Sequence, residues 1–77
     1  MNYASLSDLI DFEQLKLSKN FAIKSYKDSV YRGEIENSER VGKGIMTYTN
    51  GRVYEGEWQQ DKRNGYGYEK FSNGNIY

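Results

Sequence analysis

The chain has 77 residues, enough for one small domain that buries only about 60% of its unfolded surface. Eleven basic residues balance eleven acidic ones, so no net field draws in nucleic acid or a membrane surface. His and Cys are both absent, which removes His-based triads and dyads, thiolate chemistry, disulfides and Cys-built zinc sites.

Taken in order, residues 1–4 read as a loose tail and residues 5–19 as a helix, so the N-terminal region covers 1–20. Ser5, three positions before Asp8, and Ser7, directly before it, are both candidate N-caps. Asp8 and Asp11 fall early and Lys16 and Lys19 late, as the helix dipole favours. Leu6, Leu9, Ile10 and Glu13 line one face, while Phe12, Leu15 and Leu17 fall off it. Asn20 ends the helix, which either packs on its own sheet or docks into a partner. The first residues show no charged leader with an apolar run, and no stretch approaches the ~20 apolar residues of a membrane span, so a cytoplasmic protein is expected.

Phe21 to Tyr26 alternate with a period of two, as a strand does, and residues 21–30 read as a degenerate half repeat. From Tyr31 the chain repeats itself after 23 positions. Tyr31, Gly33, Glu34, Gly42, Gly44, Tyr48 and Gly51 recur as Tyr54, Gly56, Glu57, Gly65, Gly67, Phe71 and Gly74. Tyr77 begins a third unit, and Ile35 stands where the second unit has Trp58. A fixed period in this range means stacked supersecondary units. Repeat 1 spans 31–53, with strands near 30–36 and 43–48 joined by a loop from Asn37 to Val41. Repeat 2 spans 54–76, with strands near 53–58 and 66–71 and a loop from Gln59 to Asn64. Asn50-Gly51 predicts a tight hairpin turn with positive φ at both residues, and Ser72-Asn73-Gly74 a further turn.

Alternate residues of a strand share a face, so Tyr54, Gly56 and Trp58 stand together, with Glu55 and Glu57 opposite. Glycine weakens a strand, so the repeated pairs need a reason; a ring from a neighbouring hairpin lying flat on bare backbone supplies one. Glu34 and Glu57 read as solvated residues pairing with Lys or Arg across the ladder.

Tyr-Glu-Gly-Glu-Trp, a six-residue spacer, Gly-Tyr-Gly, then an aromatic and Gly at this period resemble MORN repeats. Repeat 2 departs from the pattern at Asp61, where the family usually has Gly, and at Asn64, where it often has His. Asp and Asn tolerate left-handed backbone better than most residues, so the loop survives both changes. In repeat 1, Ile35 replaces Trp and the loop lacks its Gly. The resemblance implies a mainly β fold: successive antiparallel hairpins in one elongated twisted sheet over residues 21–77, preceded by one N-terminal α-helix. It also implies non-catalytic work in assemblies, on the cytoskeleton, in cilia or at membrane junctions.

The glycine pairs Gly42-x-Gly44 and Gly65-x-Gly67 lack both the third glycine and the following helix of a phosphate-binding loop, and no cofactor is expected. The expectation is a scaffold, not an enzyme, that binds other proteins and no nucleic acid. Tyr66, Tyr68, Trp58 and Tyr77 are its candidate partner-binding residues. The alternatives are a module for anionic membrane lipid using Lys62 and Arg63, or the regulatory repeat segment of a lipid kinase, or an adaptor whose groove takes a partner helix.

Overall fold

The computed structural model describes residues 11–71. The expectations for Ser5, Ser7, the residues around Asp8, the turn at 72–74, Gly74 and Tyr77 lie outside them. Within the described residues the helix is much shorter than the sequence suggests. α1 covers Phe12–Leu15 and is capped by Asp11, whose carboxylate accepts from the amides of Glu13 and Gln14. Lys16 to Asn20 leave the helix in turns, with Leu17 exposed. The buried residue of α1 is Leu15, with Phe12 packed beside it, so the packing stripe is the one the helical wheel placed off the main face. A helix of one turn has no propensity to sustain itself, and packing selects the side chains that reach the sheet.

Five strands follow: β1 (Phe21–Ser25), β2 (Ser29–Glu36), β3 (Glu39–Tyr48), β4 (Val53–Gln59) and β5 (Lys62–Lys70). They form one open antiparallel sheet in sequence order, each strand paired with the next. The broad loops expected at 37–41 and 59–64 are two-residue turns instead. Asn37 and Ser38 have φ of 50° and 65°, and Gln60 and Asp61 have 51° and 67°. Positive φ at both central residues is what a type I′ hairpin requires, because it matches the twist of the flanking strands. At Asn50-Gly51, where the sequence suggested that geometry, Gly51 alone has positive φ. That connection is wider, closed by Tyr48 N to Arg52 O at 2.8 Å.

The hairpins absorb the missing loop residues as bulges. Gly33 pairs with Gly44, but Glu34 pairs with Val41, leaving Gly42 and Lys43 over. The same shift recurs where Gly56 pairs with Gly67 and Trp58 with Arg63. Gly42 and Gly65 sit in these bulges with φ of 57° and 68°, a left-handed conformation that glycine adopts without a Cβ penalty.

Each face of the sheet carries its own cluster. On the aromatic face, Tyr31, Met46, Tyr54 and Trp58 are buried, with Tyr26, Ile35 and Tyr48 packed against them. On the opposite face, Leu15 of α1 meets Ile45, flanked by Phe12, Phe21 and Val53. Ala22, Gly33, Gly44, Gly56 and Gly67 form one row across all five strands on the aromatic face. Rings occupy the space above it: a Cβ on Gly44 would overlap the Tyr31 phenol, and one on Gly67 the Tyr54 phenol. Each ring comes from the preceding strand of the same hairpin, not from a neighbouring hairpin as the spacing suggested.

Candidate functional site

The aromatic face is built by one rule applied twice. Trp58 stands edge-on between two tyrosines, 5.3 Å from Tyr31 at 83° and 5.4 Å from Tyr54 at 90°. Its indole Nε1 donates to the Gly44 carbonyl at 3.3 Å, so a large buried ring keeps its polar handle satisfied. The Tyr31 hydroxyl donates to the Glu34 carbonyl at 3.0 Å. Burial pushes the Tyr31 phenol well above its ordinary range, and burial likewise raises Tyr54.

Arginines complete the arrangement. The Arg40 guanidinium lies 4.6 Å from the Trp58 ring, 5.2 Å from Tyr26 and 6.0 Å from Tyr31. Asp61, on the turn between β4 and β5, holds it. Arg40 Nε donates to the Asp61 carboxylate at 2.6 Å, its terminal nitrogen to the Asp61 carbonyl at 2.7 Å, and its backbone amide to the same carboxylate at 3.1 Å. The side-chain hydrogen bond from Arg40 holds the Asp61 carboxyl below its usual range. Asp61 thus has two duties, accepting a left-handed backbone and anchoring Arg40. Asp61→Asn keeps the backbone tolerance and loses the charge, so it should lower unfolding free energy by about 1 kcal/mol in urea titrations. Asp61→Ala should cost about 2 kcal/mol, because alanine adds backbone strain. Equal losses in the two variants would remove strain from the account.

Arg63 is the equivalent of Arg40, and its surroundings differ. It lies 3.9 Å from the Tyr54 ring and donates to the Tyr48 hydroxyl at 2.9 Å and to Glu69 at 3.2 Å. Glu69 also pairs with Arg52 at 3.0 Å. Lys62 and Arg63 lie on strand β5 and not in a loop, so neighbouring side chains project to opposite faces. Arg63 is spent on Tyr48, Tyr54 and Glu69, which leaves no contiguous basic pair for an anionic head group.

The repeated glutamates satisfy the bulges and do not pair across the ladder with lysine or arginine. Glu34 accepts the Lys43 amide at 2.9 Å and the Ser18 hydroxyl at 3.3 Å. Glu57 accepts the Tyr66 amide at 2.8 Å. A bulge takes a backbone amide out of the ladder, and the carboxylate placed opposite each bulge supplies that amide with an acceptor. The recurrence of Glu nine residues before Lys43 and before Tyr66 was the signal available in the sequence.

The proposed partner residues separate. Trp58 is 5% exposed inside the aromatic cluster, whereas Tyr66 and Tyr68 lie on the opposite face. Tyr66 is 80% exposed, and Tyr68 is half-buried opposite Glu55 in the ladder. Alternation along the strand places Glu55 on this face without indicating that it is buried. It is 1% exposed beside Ile45, and burial raises its carboxyl to about 7, an effect that Tyr68 partly offsets. Lys62 to Gly67 are exposed, and the outer edge of β5 pairs with no other described strand. The described residues contain no cluster of His, Cys, Asp or Glu able to hold a metal ion, and no helix long and apolar enough to cross a membrane.

A family model for the MORN repeat matches residues 31–51 and 54–76. The first match falls on the β2–β3 hairpin and the second on the β4–β5 hairpin. A search of curated proteins found no match. MORN repeats generally serve interactions with proteins or membranes.

Proposed function

Because this chain belongs to the MORN-repeat family, we propose that it is a non-catalytic scaffold module mediating protein–protein interaction in a larger, cytoskeletal or ciliary assembly of the cytoplasm. The supporting observation is the outer edge of β5, a nine-residue strand that pairs with β4 and with no other described strand. Such an edge is a template for pairing with another strand, and Tyr66, a large ring left 80% in solvent, stands on it. Neither edge nor ring is needed by the core. Charge does not favour the membrane alternative, since Glu69 holds both Arg63 on β5 and Arg52 before β4.

Sedimentation of the purified chain tests this reading, with circular dichroism on the same samples. The weight-average mass should rise with concentration, and Tyr66→Lys should return it toward the monomer while the dichroism of the sheet is kept. Because Tyr66 is exposed, that substitution should change unfolding free energy by no more than about 0.5 kcal/mol. A folded chain that stays monomeric at all concentrations and recruits no protein overturns the scaffold reading. Co-flotation with vesicles rich in phosphatidylserine would move the assignment to lipid. A tagged chain that is diffuse in ciliated cells would remove the cytoskeletal and ciliary placement.

A further inference from the structure

We propose that α1 is a pH-operated cover on the sheet: when the Glu55 carboxyl ionises it leaves the apolar patch beneath α1 and pairs with Lys70, and α1 lifts off. The inference goes beyond the scaffold reading and does not depend on it.

Strand register places Glu55 inside that patch. On the face that carries α1, one row runs Ile23, Arg32, Ile45, Glu55 and Tyr68. Leu15 of α1 packs on Ile45, the residue opposite Glu55. Val53, two positions before Glu55 and so on the same face, packs against the same pair. Both Glu55 oxygens are buried, and neither accepts a hydrogen bond. A buried carboxyl in that state tolerates its neutral form far better than its charged one.

The sheet also offers this side chain a second position. Glu55 is the 23-residue counterpart of Arg32, and Lys70 is the counterpart of Thr47. Arg32 reaches diagonally across the β2–β3 ladder and donates to the Thr47 hydroxyl at 3.2 Å. The same diagonal joins Glu55 to Lys70, since Glu55 faces Tyr68 and Val53 faces Lys70. The first hairpin shows that the diagonal can be spanned, and in the second its two ends carry opposite charges. Lys70 is half-buried, and among the described residues no carboxylate holds it.

The other charged groups on this face are placed elsewhere. Lys43 and Glu57 oppose each other one step further along β3 and β4. Arg32 lies beyond Ile45, bonded to Thr47. Glu13 and Lys16 of α1 pair with each other at 3.0 Å, and Asp11 caps the helix. α1 is the element that yields, because it is a single turn held by one buried side chain, Leu15. Ser18 and Asn20 act as its hinge, tied to Glu34 and Glu36 of β2. The covered carboxyl titrates at about 7 and the uncovered one near 4.5, so the closed form holds its proton more tightly. Loss of that proton favours the open form, and the ratio of open to closed should rise on the order of 50-fold between pH 5 and pH 8.

The test is NMR of the 77-residue chain labelled at Leu and Ile methyls, with the Glu55 side-chain carboxyl followed by 13C in the same samples. The Leu15–Ile45 cross-relaxation should fade as pH rises, with the midpoint of the Glu55 titration, while the amide pattern of β2 to β4 is kept. Glu55→Gln should hold the contact at every pH. Lys70→Gln removes the partner of the ionised carboxyl and should move release up by about 0.5 pH unit. If the contact fades equally in Glu55→Gln, or persists while Glu55 titrates, the inference fails. It fails also if the sheet melts together with the contact, since no local cover then exists. An unmoved midpoint in Lys70→Gln removes the second position and with it the switch. Should Glu55→Gln not fold, the agreement of the two midpoints in the unaltered chain and their shift in Lys70→Gln decide the matter.

Discussion

Stability should fall as pH rises from about 4.5 to above 7, and Glu55→Gln should flatten that slope. Glu55 is 1% exposed on the face that carries Ile45 and Val53, and burial raises its carboxyl from 4.5 to about 7. The folded state therefore holds this proton more tightly than the unfolded chain does. The resulting stability is fully present below pH 4.5 and is lost as pH rises through about 7. A shift of this size corresponds to roughly 3 kcal/mol, on the order of 10 °C or more in melting temperature for a domain of this length. Most small domains lose stability toward acid, and Asp61 pulls that way, since its lowered carboxyl contributes stability that is lost as pH falls through its folded-state value. The optimum should accordingly lie on the acid side of neutrality. Thermal melts at pH 5.5 and pH 8 on both proteins decide the matter. Parallel slopes would mean that groups other than Glu55 carry the dependence.

Gly33→Ala should unfold the chain or nearly so. A Cβ at this position would overlap Gly44 Cα and lie 2.6 Å from both the Lys43 carbonyl and the Tyr31 hydroxyl. Two of those obstacles are backbone, so no rotamer change relieves them, and the strands must separate. Overpacking of this kind costs about 3 kcal/mol or more, against a total stability of about 4–12 kcal/mol for this length. Gly56→Ala meets the same situation, with Gly67 Cα at 2.6 Å and the Tyr66 carbonyl at 2.8 Å. Gly44→Ala differs, because its obstacle is the Tyr31 ring. Truncating Tyr31 first should make Gly44→Ala nearly harmless, a coupling visible in a double-mutant cycle. A Gly33→Ala protein with an unchanged unfolding midpoint would show that the strands separate without cost.

The architecture was legible in the sequence because a 23-residue period and the alternation of Tyr, Gly and Trp are properties of order along the chain. What escaped depends on contacts across it. Residue type points to Asn50-Gly51 for the tight left-handed turn, and the chain does reverse there, yet the left-handed pairs are Asn37-Ser38 and Gln60-Asp61, because strand register dictates how many residues each reversal has. Capping and charge point to fifteen helical residues, but among the described residues α1 is one turn, since the wheel does not say that Leu15 meets Ile45. Glu34 and Glu57 were recognised as recurrent without their role, because a bulge is defined by register and register has no signature in a single strand. Arg40 and Arg63 recur at the period too, and only the folded sheet shows that their rings and carboxylates differ.

The row from Ala22 through Gly33, Gly44 and Gly56 to Gly67 also acts as a proofreading device. Alternation of side chains guards a strand against slipping by one residue, since that would turn its apolar set to the wrong face. It offers no protection against a slip of two, which preserves every face. In this sheet a two-residue slip of β3 would bring Met46 or Gly42 opposite Gly33 in place of Gly44. The first puts a side chain where the Tyr31 ring must lie, and the second pulls the left-handed bulge residue into the regular ladder. Each hairpin is thereby checked against the one before it as the sheet grows, so errors of assembly are rejected one unit at a time.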